Sequence, residues 1–203
     1  LAFVISVIWI VGMTNAINLI DGLDGLAAGV SGIAAMTLYI VAVIRQQDDI
    51  AIISVSLVGA IAGFLPYNFN PAKIFMGDTG SAFLGFSLAV ISIQSTLKTY
   101  TAIAIVIPML VLGLPLFDTI FAIIRRLITG KSPMKADRGH IHHKLIDMGL
   151  THRQSVVVLY TASSILGLTA IVMAERGAIS ALILIIAVAI FIVGGAKYMS
   201  IMD

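Results

Sequence analysis

The sequence contains no cysteine and few charged residues. Of its 203 residues, 11% are charged and 60% are hydrophobic, whereas about a quarter of the residues in ordinary soluble domains are charged. The absence of cysteine excludes disulfide frameworks and thiolate metal sites. The low charge and the mean hydropathy of +1.10 exclude an ordinary soluble domain and indicate an integral membrane protein.

Long apolar runs make up most of the chain, and none alternates apolar with polar residues as a barrel strand does. We predict one domain over 1–203, an all-α polytopic membrane helix bundle, in which Pro108 and Pro115 bend or break the long fifth run. The chain opens on Leu1 inside an apolar stretch, so we expect a fragment that lacks its N-terminal part. A spanning helix needs roughly 17–25 apolar residues, and about seven transmembrane candidates exist: 1–19, 26–44, 50–66, 82–97, 101–126, 156–173 and 178–194.

Basic residues are unevenly shared between the two sides of this bundle. Seven crossings place the loops at about 20–25, 67–81 and 127–155 on one side, with the tail after Gly195. That side carries all four histidines and nine of the twelve basic residues, so the positive-inside rule predicts that it faces the cytoplasm. The nine are Lys73, Arg125, Arg126, Lys131, Lys135, Arg138, Lys144, Arg153 and Lys197.

The first polar motif lies where the first run ends. Asn15, Asn18, Asp21 and Asp24 recur every three residues and share one broad face if the helix continues, while two Asp-Gly steps favour a turn. A polar helix end with glycine caps is the alternative interpretation. Carboxylates beside hydrocarbon are costly unless they are hydrated, paired or metal-bound, so the pattern favours a functional site.

The second motif runs from Lys73 to Ser81. Gly77 and Gly80 let backbone N–H groups approach an anion, and Thr79 and Ser81 are candidate caps of the next helix. Asp78 lies among them, and Mg²⁺ prefers carboxylate and phosphate oxygens. An Asp-Thr-Gly turn entering a helix is the alternative, but the Asn/Asp motif upstream favours a metal–phosphate site.

The third motif is the histidine cluster at His140, His142 and His143, in a loop of about thirty residues that is rich in Lys and Arg. Three candidate roles are a Zn²⁺ site, a cationic grip on phosphate and a solvated loop on anionic lipid. No cysteine or second histidine cluster completes a zinc site, so we favour phosphate contact.

Two further acidic features remain outside these motifs. Asp48 and Asp49 are adjacent but fall on the opposite side, and we interpret them as a solvated loop. Asp118 lies inside the fifth run, about two turns before Arg125. Two roles remain open for Asp118: lining a cavity, or pairing with a cationic side chain.

Together the segments Asn15 to Ala28, Asn68 to Ser81 and His140-Ile141-His142-His143 resemble the polyprenyl-phosphate N-acetylhexosamine-1-phosphate transferases, within glycosyltransferase family 4. The resemblance covers essentially the whole chain with the motifs in the family's order. The His-Ile-His-His form is more similar to the branch that uses UDP-N-acetylglucosamine, in teichoic-acid, O-antigen or related polymer synthesis. The muramoyl-pentapeptide branch carries three consecutive histidines instead.

This resemblance implies transfer of a sugar-1-phosphate from a UDP-sugar to undecaprenyl or another polyprenyl phosphate, releasing UMP, with Mg²⁺ or alternatively Mn²⁺. It implies a location in a bacterial-type cell membrane and no nucleic-acid partner. It leaves open whether the protein forms a homodimer. The resemblance implies a metal at Asp78 and, by inference, Asn18, nucleotide contacts for Asp24, Asn68 and Phe75, and phosphate or sugar contacts for the three histidines. With the motifs above, we predict the following roles: catalysis by Asp24, Asp78, His142 and His143; metal binding by Asn18 and Asp78; and substrate binding by Asn15, Asp21, Asn68, Phe75, Lys73, Arg138 and His140.

One departure from the family pattern bears on activity. The family's early Asp-Asp-x-x-Lys motif is absent, and Asp48-Asp49 do not replace it, so we expect this chain alone to be inactive. Direct attack and an aspartyl intermediate are both compatible with the residues, and an already anionic nucleophile favours direct attack. The competing functions are an ion-coupled secondary transporter with intramembrane Asp residues, and a non-catalytic membrane scaffold.

Overall fold

The structure is a computed structural model that describes residues 2–97, 102–130, 140–180 and 182–187. All of its principal elements are α-helices, and no strand occurs within these ranges. This confirms the predicted all-α bundle. The helices are α1 (Ala2–Ile20), α2 (Leu26–Ile44), α3 (Asp48–Asn68), α4 (Gly77–Leu97), α5 (Ala102–Val111), α6 (Gly113–Ile128), α7 (Ile141–Asp147) and α8 (His152–Arg176).

The number of membrane spans is lower than predicted in the part of the chain that the structure describes. Four helices, α1, α2, α3 and α8, are long and apolar enough to cross a membrane, and α5 with α6 adds a fifth if the bent pair is one span. The fourth predicted span, 82–97, is a helix that begins earlier, at Gly77. The seventh, 178–194, lies partly outside the described residues. The count of seven is therefore not confirmed.

The predicted interruption of the fifth run is confirmed. Helices α5 and α6 meet at Leu112 and are bent by 85°. Pro108 stays inside α5, whereas Pro115 occupies the first turn of α6. Proline has no N–H to donate to the carbonyl four residues earlier. Pro115 therefore ends the series of backbone hydrogen bonds in α5 and is compatible with the first turn of a new helix.

Helix α2 forms the centre of the bundle and packs against α3, α4 and α8. Its small residues bring neighbouring helices close. The ring of Tyr160 from α8 occupies the space where a Cβ at Gly29 of α2 would lie. A second close contact between these helices joins Gly167 of α8 to the side chain of Thr37 of α2. Close approach through small residues is the usual packing mode of helices in lipid.

Helix α1 packs on α4, and its outer face is apolar and exposed. Phe3 and Ile8 are 80% and 65% exposed. On the inner face, a Cβ at Gly85 of α4 would lie 2.7 Å from the Cα of Thr14, so the two backbones nearly touch. An apolar outer surface over a tightly packed interior is typical of helices that face lipid.

The segment predicted as a loop over 127–155 contains regular structure. Helix α7 occupies Ile141–Asp147, and α8 already begins at His152. Thr151 caps α8 through a capping box with Gln154, whose backbone N–H donates to the threonine hydroxyl at 3.3 Å. The histidine cluster therefore sits on a short helix beside the N-terminus of a long one.

Candidate active site

The side chain of Asn18 joins the first and second polar motifs. Its Nδ2 donates to Asp78 Oδ1 at 3.2 Å and to Ser81 Oγ at 2.8 Å. Ser81 in turn donates to carbonyls in the first turn of α4, that of Gly77 at 3.1 Å among them, so it does not cap the helix as predicted. Asp78 is exposed in that same first turn, and Thr79 follows it inside the helix.

The turn between α1 and α2 holds the remaining acids of the first motif. Because α1 ends at Ile20, Asp21 and Asp24 lie in this turn and do not continue the helical face. Gly25 closes the turn with φ of +81°, a left-handed conformation that favours glycine. The turn predicted from the two Asp-Gly steps is confirmed.

Asp24 is held by the segment that precedes α4. Its Oδ2 accepts from the side-chain Nδ2 of Asn70 and from the backbone N–H of Ala72, both at 3.1 Å. Asn68 lies beside this contact and is 3% exposed. Its Oδ1 accepts from Gly25 N at 3.2 Å, and its Nδ2 donates to the carbonyl of Ile74 at 3.0 Å. Asn68 thus joins the acidic turn to the loop that leads to Asp78.

The same loop presents two exposed side chains. Phe75 is 75% exposed, and Lys73 is exposed while its backbone N–H donates to the carbonyl of Tyr67 at 2.7 Å. An aromatic ring and an ammonium group on a loop held by backbone bonds are available to a ligand without rearrangement of the fold.

Side chains of helix α8 bond both to the loop that precedes α4 and to the acidic turn between α1 and α2. Arg153 donates to the carbonyl of Asn70 through Nε at 3.0 Å and through Nη2 at 2.8 Å. Two turns further on, the hydroxyl of Tyr160 donates to the carbonyl of Gly25. The acidic turn is therefore held by side chains from two segments far apart in sequence, Asn68 and Asn70 in one and Tyr160 in the other.

The histidine cluster lies against the acidic turn. The ring of His142 is 3% exposed and occupies the space beside Gly22 where a Cβ would lie. The rings of His140 and His142 are stacked with centroids 5.9 Å apart, and the ring of His143 lies 4.2 Å from that of His142. All three predicted motifs therefore meet at one end of the bundle.

Two groups at this end have shifted pKa values. Burial raises the pKa of the Asp21 carboxyl above its usual value, and the negative charges of Asp78 and Asp24 raise it further. Burial, with neighbouring His143 as the next cause, lowers the pKa of His142 to about 4. His142 is therefore neutral at physiological pH, and its buried Nε2 has no hydrogen-bond partner among the residues that the structure describes.

The donor set at this end fits a hard divalent cation that is completed by a substrate. Across the described ranges no three acidic or imidazole side chains converge closely enough to hold a metal by themselves. Asp78 contributes an exposed carboxylate beside the amide of Asn18. Mg²⁺ is commonly bound by one or two carboxylates together with substrate phosphates and water, so a sparse oxygen set suits it.

Some predicted site residues do not join this arrangement. Asn15 is exposed, and its amide donates to the carbonyl of Val11 within its own helix. Arg138 lies outside the described residues, as do Lys131 and Lys135. Asp48 and Asp49 open α3 at the end of that helix remote from Asn68, as expected from the sequence.

Sequence reasoning missed three contributors: Asn70, Tyr160 and the pairing of Asp118. Asp118 is 4% exposed, and its Oδ2 lies 2.8 Å from Nδ1 of His140. Of the two roles left open for Asp118, the structure shows a pairing, and the partner is a histidine from another element. Asn70 belongs to a motif already identified, whereas no sequence signal marks Tyr160, because its role follows from helix packing.

The sequence of this chain is similar to those of known proteins. The model of the family described as glycosyl transferase family 4 matches residues 1–96. Over 174 residues the chain is 48% identical to a probable undecaprenyl-phosphate N-acetylglucosaminyl 1-phosphate transferase of Bacillus subtilis, covering 85% of this chain and 48% of that protein.

Two other relatives differ from it in the lipid or the sugar that their names give. A decaprenyl-phosphate N-acetylglucosaminephosphotransferase of Mycolicibacterium smegmatis is 41% identical over 54% of this chain and 30% of its own length. A phospho-N-acetylmuramoyl-pentapeptide-transferase of Bacillus velezensis is 38% identical over 83% of this chain and 50% of its own. The chain spans about half the length, or less, of these curated relatives. The family model and the relatives show that the chain belongs to glycosyl transferase family 4.

Proposed function

We propose that the protein containing this chain transfers N-acetylglucosamine-1-phosphate, or a related sugar-1-phosphate, from a UDP-sugar to undecaprenyl or another polyprenyl phosphate. The products are a polyprenyl-diphospho-sugar and UMP, and the reaction initiates synthesis of a cell-wall or surface polysaccharide. The observation that carries the proposal is the contact between Asn18 and Asp78, beside an acidic turn and a histidine cluster. The printed names of the relatives support the lipid acceptor and the transferred sugar.

Asn18 and Asp78 would hold Mg²⁺, with Mn²⁺ as the alternative. When bound, the cation offsets repulsion between the two phosphate-bearing substrates and stabilises the departing UMP. Asn18 keeps the carboxylate of Asp78 in place by its hydrogen bond, and Ser81 in turn fixes the amide of Asn18. The first turn of α4 adds free backbone N–H groups, which favour a phosphate nearby.

The remaining residues act on the substrates themselves. Phe75 and Lys73, on a loop held by hydrogen bonds from Asn68 and Arg153, would bind the donor, together with Asn68 itself at the end of α3. Asp24, Asp21 and Asn15 border the same end of the bundle. The histidines would donate hydrogen bonds to phosphate or sugar oxygens, together with Arg138. Of these rings, His143 is only partly buried and would face the substrate, whereas the Nε2 of His142 is packed against Gly22.

The chemical step is direct attack by an oxygen of the lipid phosphate on the sugar-bearing phosphorus of the donor. A P–O bond forms to the lipid phosphate as the bond to UMP breaks, and UMP leaves with the electron pair. No general base is needed, because the attacking oxygen is already an anion. This end of the bundle would face the cytoplasm of a bacterial cell membrane, as the charge bias of the sequence predicts.

The test is transfer of labelled sugar-phosphate to lipid phosphate by the full-length protein in detergent, where no ion gradient exists. Asp78→Ala should abolish Mg²⁺-dependent UMP release, because removal of a single electrostatic contact costs about 10²–10³ in rate. Asp49→Ala, at the remote end, is the matched control and should behave as wild type. Normal turnover of Asp78→Ala, with normal membrane insertion, would refute the proposal. A transporter would show no transfer in either variant.

A further inference from the structure

Asp118 makes two hydrogen bonds to the start of α7, although it belongs to α6. Its Oδ1 accepts from the backbone N–H of Ile141, and its Oδ2 lies against Nδ1 of His140, both at 2.8 Å. Ile141 is the first residue of α7, whose leading N–H groups have no partner within the helix. A single buried carboxylate therefore fixes both the backbone and the side chain at the point where the helix begins.

The pairing determines which nitrogen of His140 carries a proton. A carboxylate accepts hydrogen bonds and cannot donate them, so Nδ1 of His140 must be the donor. The His140 ring is itself 5% exposed. With Nδ1 committed to Asp118, Nε2 is the ring nitrogen that remains for any other partner.

The orientation of His140 extends to the other two histidines through ring contacts. His140 and His142 are nearly parallel, with 8° between their planes. His142 touches His143 on one side and Gly22 of the acidic turn on another. A rotation of the His140 ring would displace His142, which is buried and has no free space on the side of Gly22.

We propose that Asp118 is a positioning residue of this site, which holds His140 and the first turn of α7 so that His142 and His143 face the acidic turn. The inference rests on the proposed function and extends it, since both hydrogen bonds that the structure shows for Asp118 go to the start of α7. It predicts that the side chain acts entirely through His140 and α7.

The first test reads the His140 ring directly and does not require turnover. In full-length protein labelled with ¹⁵N-histidine, Nδ1 of His140 should be protonated, with the signal assigned by its loss in His140→Gln. In Asp118→Asn, the amide donates to Nδ1, so the proton should move to Nε2. An unchanged Nδ1–H signal in Asp118→Asn would overturn the inference, even if the protein proves to be an active transferase. Absent transferase activity with the expected tautomer change would instead overturn the proposed function.

The second test is a double-mutant cycle on UMP release. Asp118→Asn should lower kcat/KM by about 10–100-fold, the usual effect of removing a group that orients a functional side chain. In a His140→Gln background, the same substitution should cost less than about twofold, because the imidazole is gone and the amide oxygen of asparagine can still accept from the N–H of Ile141. Equal losses in both backgrounds would overturn the inference.

Two further variants keep the cycle interpretable. Asp147→Asn makes the same charge change on the exposed last residue of α7 and should retain wild-type kinetics. Asp118→Glu keeps a carboxylate and should recover more activity than Asp118→Asn, with Nδ1 of His140 still protonated. If Asp118→Asn does not fold, a deprotonated Nδ1 in Asp118→Glu or in the wild type overturns the inference.

Discussion

The ring of His142 lies directly against the backbone of Gly22, with no room for a side chain between them. Gly22→Ala places a methyl group where the imidazole now sits, and His142 is buried, so α7 must shift to make room. A displacement of about 1 Å at a catalytic site can cost about 10²-fold in rate, and we expect a loss approaching that size. Steady-state UMP release measures it.

The control for this substitution is Gly12→Ala. Gly12 lies in α1 and has no neighbouring atom within 4 Å of the added methyl group. It should leave turnover unchanged. Full activity of Gly22→Ala would show that the ring of His142 is free to move, and that its contact with the turn does not orient it.

Arg153 should act on donor binding more than on the chemical step. Its guanidinium makes two hydrogen bonds to the carbonyl of Asn70, whose side chain holds Asp24. Arg153→Ala frees the loop, so we expect KM for the UDP-sugar to rise about tenfold, equivalent to roughly 1.4 kcal/mol, with kcat less affected.

Arg153→Lys should recover only part of this loss, because an ammonium group does not reproduce the two-pronged geometry of a guanidinium. Arg176→Ala, an exposed arginine at the opposite end of α8, is the control. A lower kcat with an unchanged KM in Arg153→Ala would contradict this prediction. It would mean that the loop takes part in the reaction step and does not hold the donor.

The buried imidazole of His142 makes stability depend on pH. In the folded protein its pKa is lowered to about 4, whereas an unfolded chain takes up a proton near 6.5. Between these values the unfolded state binds more protons, so stability falls as the pH is lowered from 6.5 toward 4. Thermal unfolding of the substrate-free protein over this range measures the effect.

His142→Gln removes this titration and should flatten the dependence of Tm on pH. Above pH 6.5 the two proteins should show parallel curves, since the imidazole is then neutral in both states. Curves that stay parallel down to pH 4 would mean that His142 is protonated in the folded protein.

The bond between Tyr160 and Gly25 should contribute to stability without taking part in the reaction. Tyr160→Phe keeps the ring in its place beside Gly29 but removes the hydroxyl that donates to the carbonyl of Gly25. We expect a loss of about 1 kcal/mol in the free energy of unfolding, the net worth of a typical hydrogen bond. Tyr39→Phe on α2 is the control, and an equal loss there would contradict the assignment.

The sequence predicts the elements of this fold better than it predicts their contacts. Apolar length alone places α2 at residues 26–44, and Pro115 marks the break before α6. The spacing of Asn18 and Asp78 does not reveal that they touch, and the resemblance supplied that pairing. Helix α7 escaped prediction because it is short and its first N–H bonds to Asp118, a residue some twenty positions upstream. Contacts fixed by packing between distant helices leave no periodic pattern to read.

The hydroxyl of Tyr160 and the carbonyl of Gly25 are separated by 135 positions in the chain. The ribosome therefore releases the acidic turn well before Tyr160, which bonds to it, has been synthesised. Until α8 is inserted, the nascent protein has these acids without that tether, so the acidic turn is fully held only after α8 has joined the bundle.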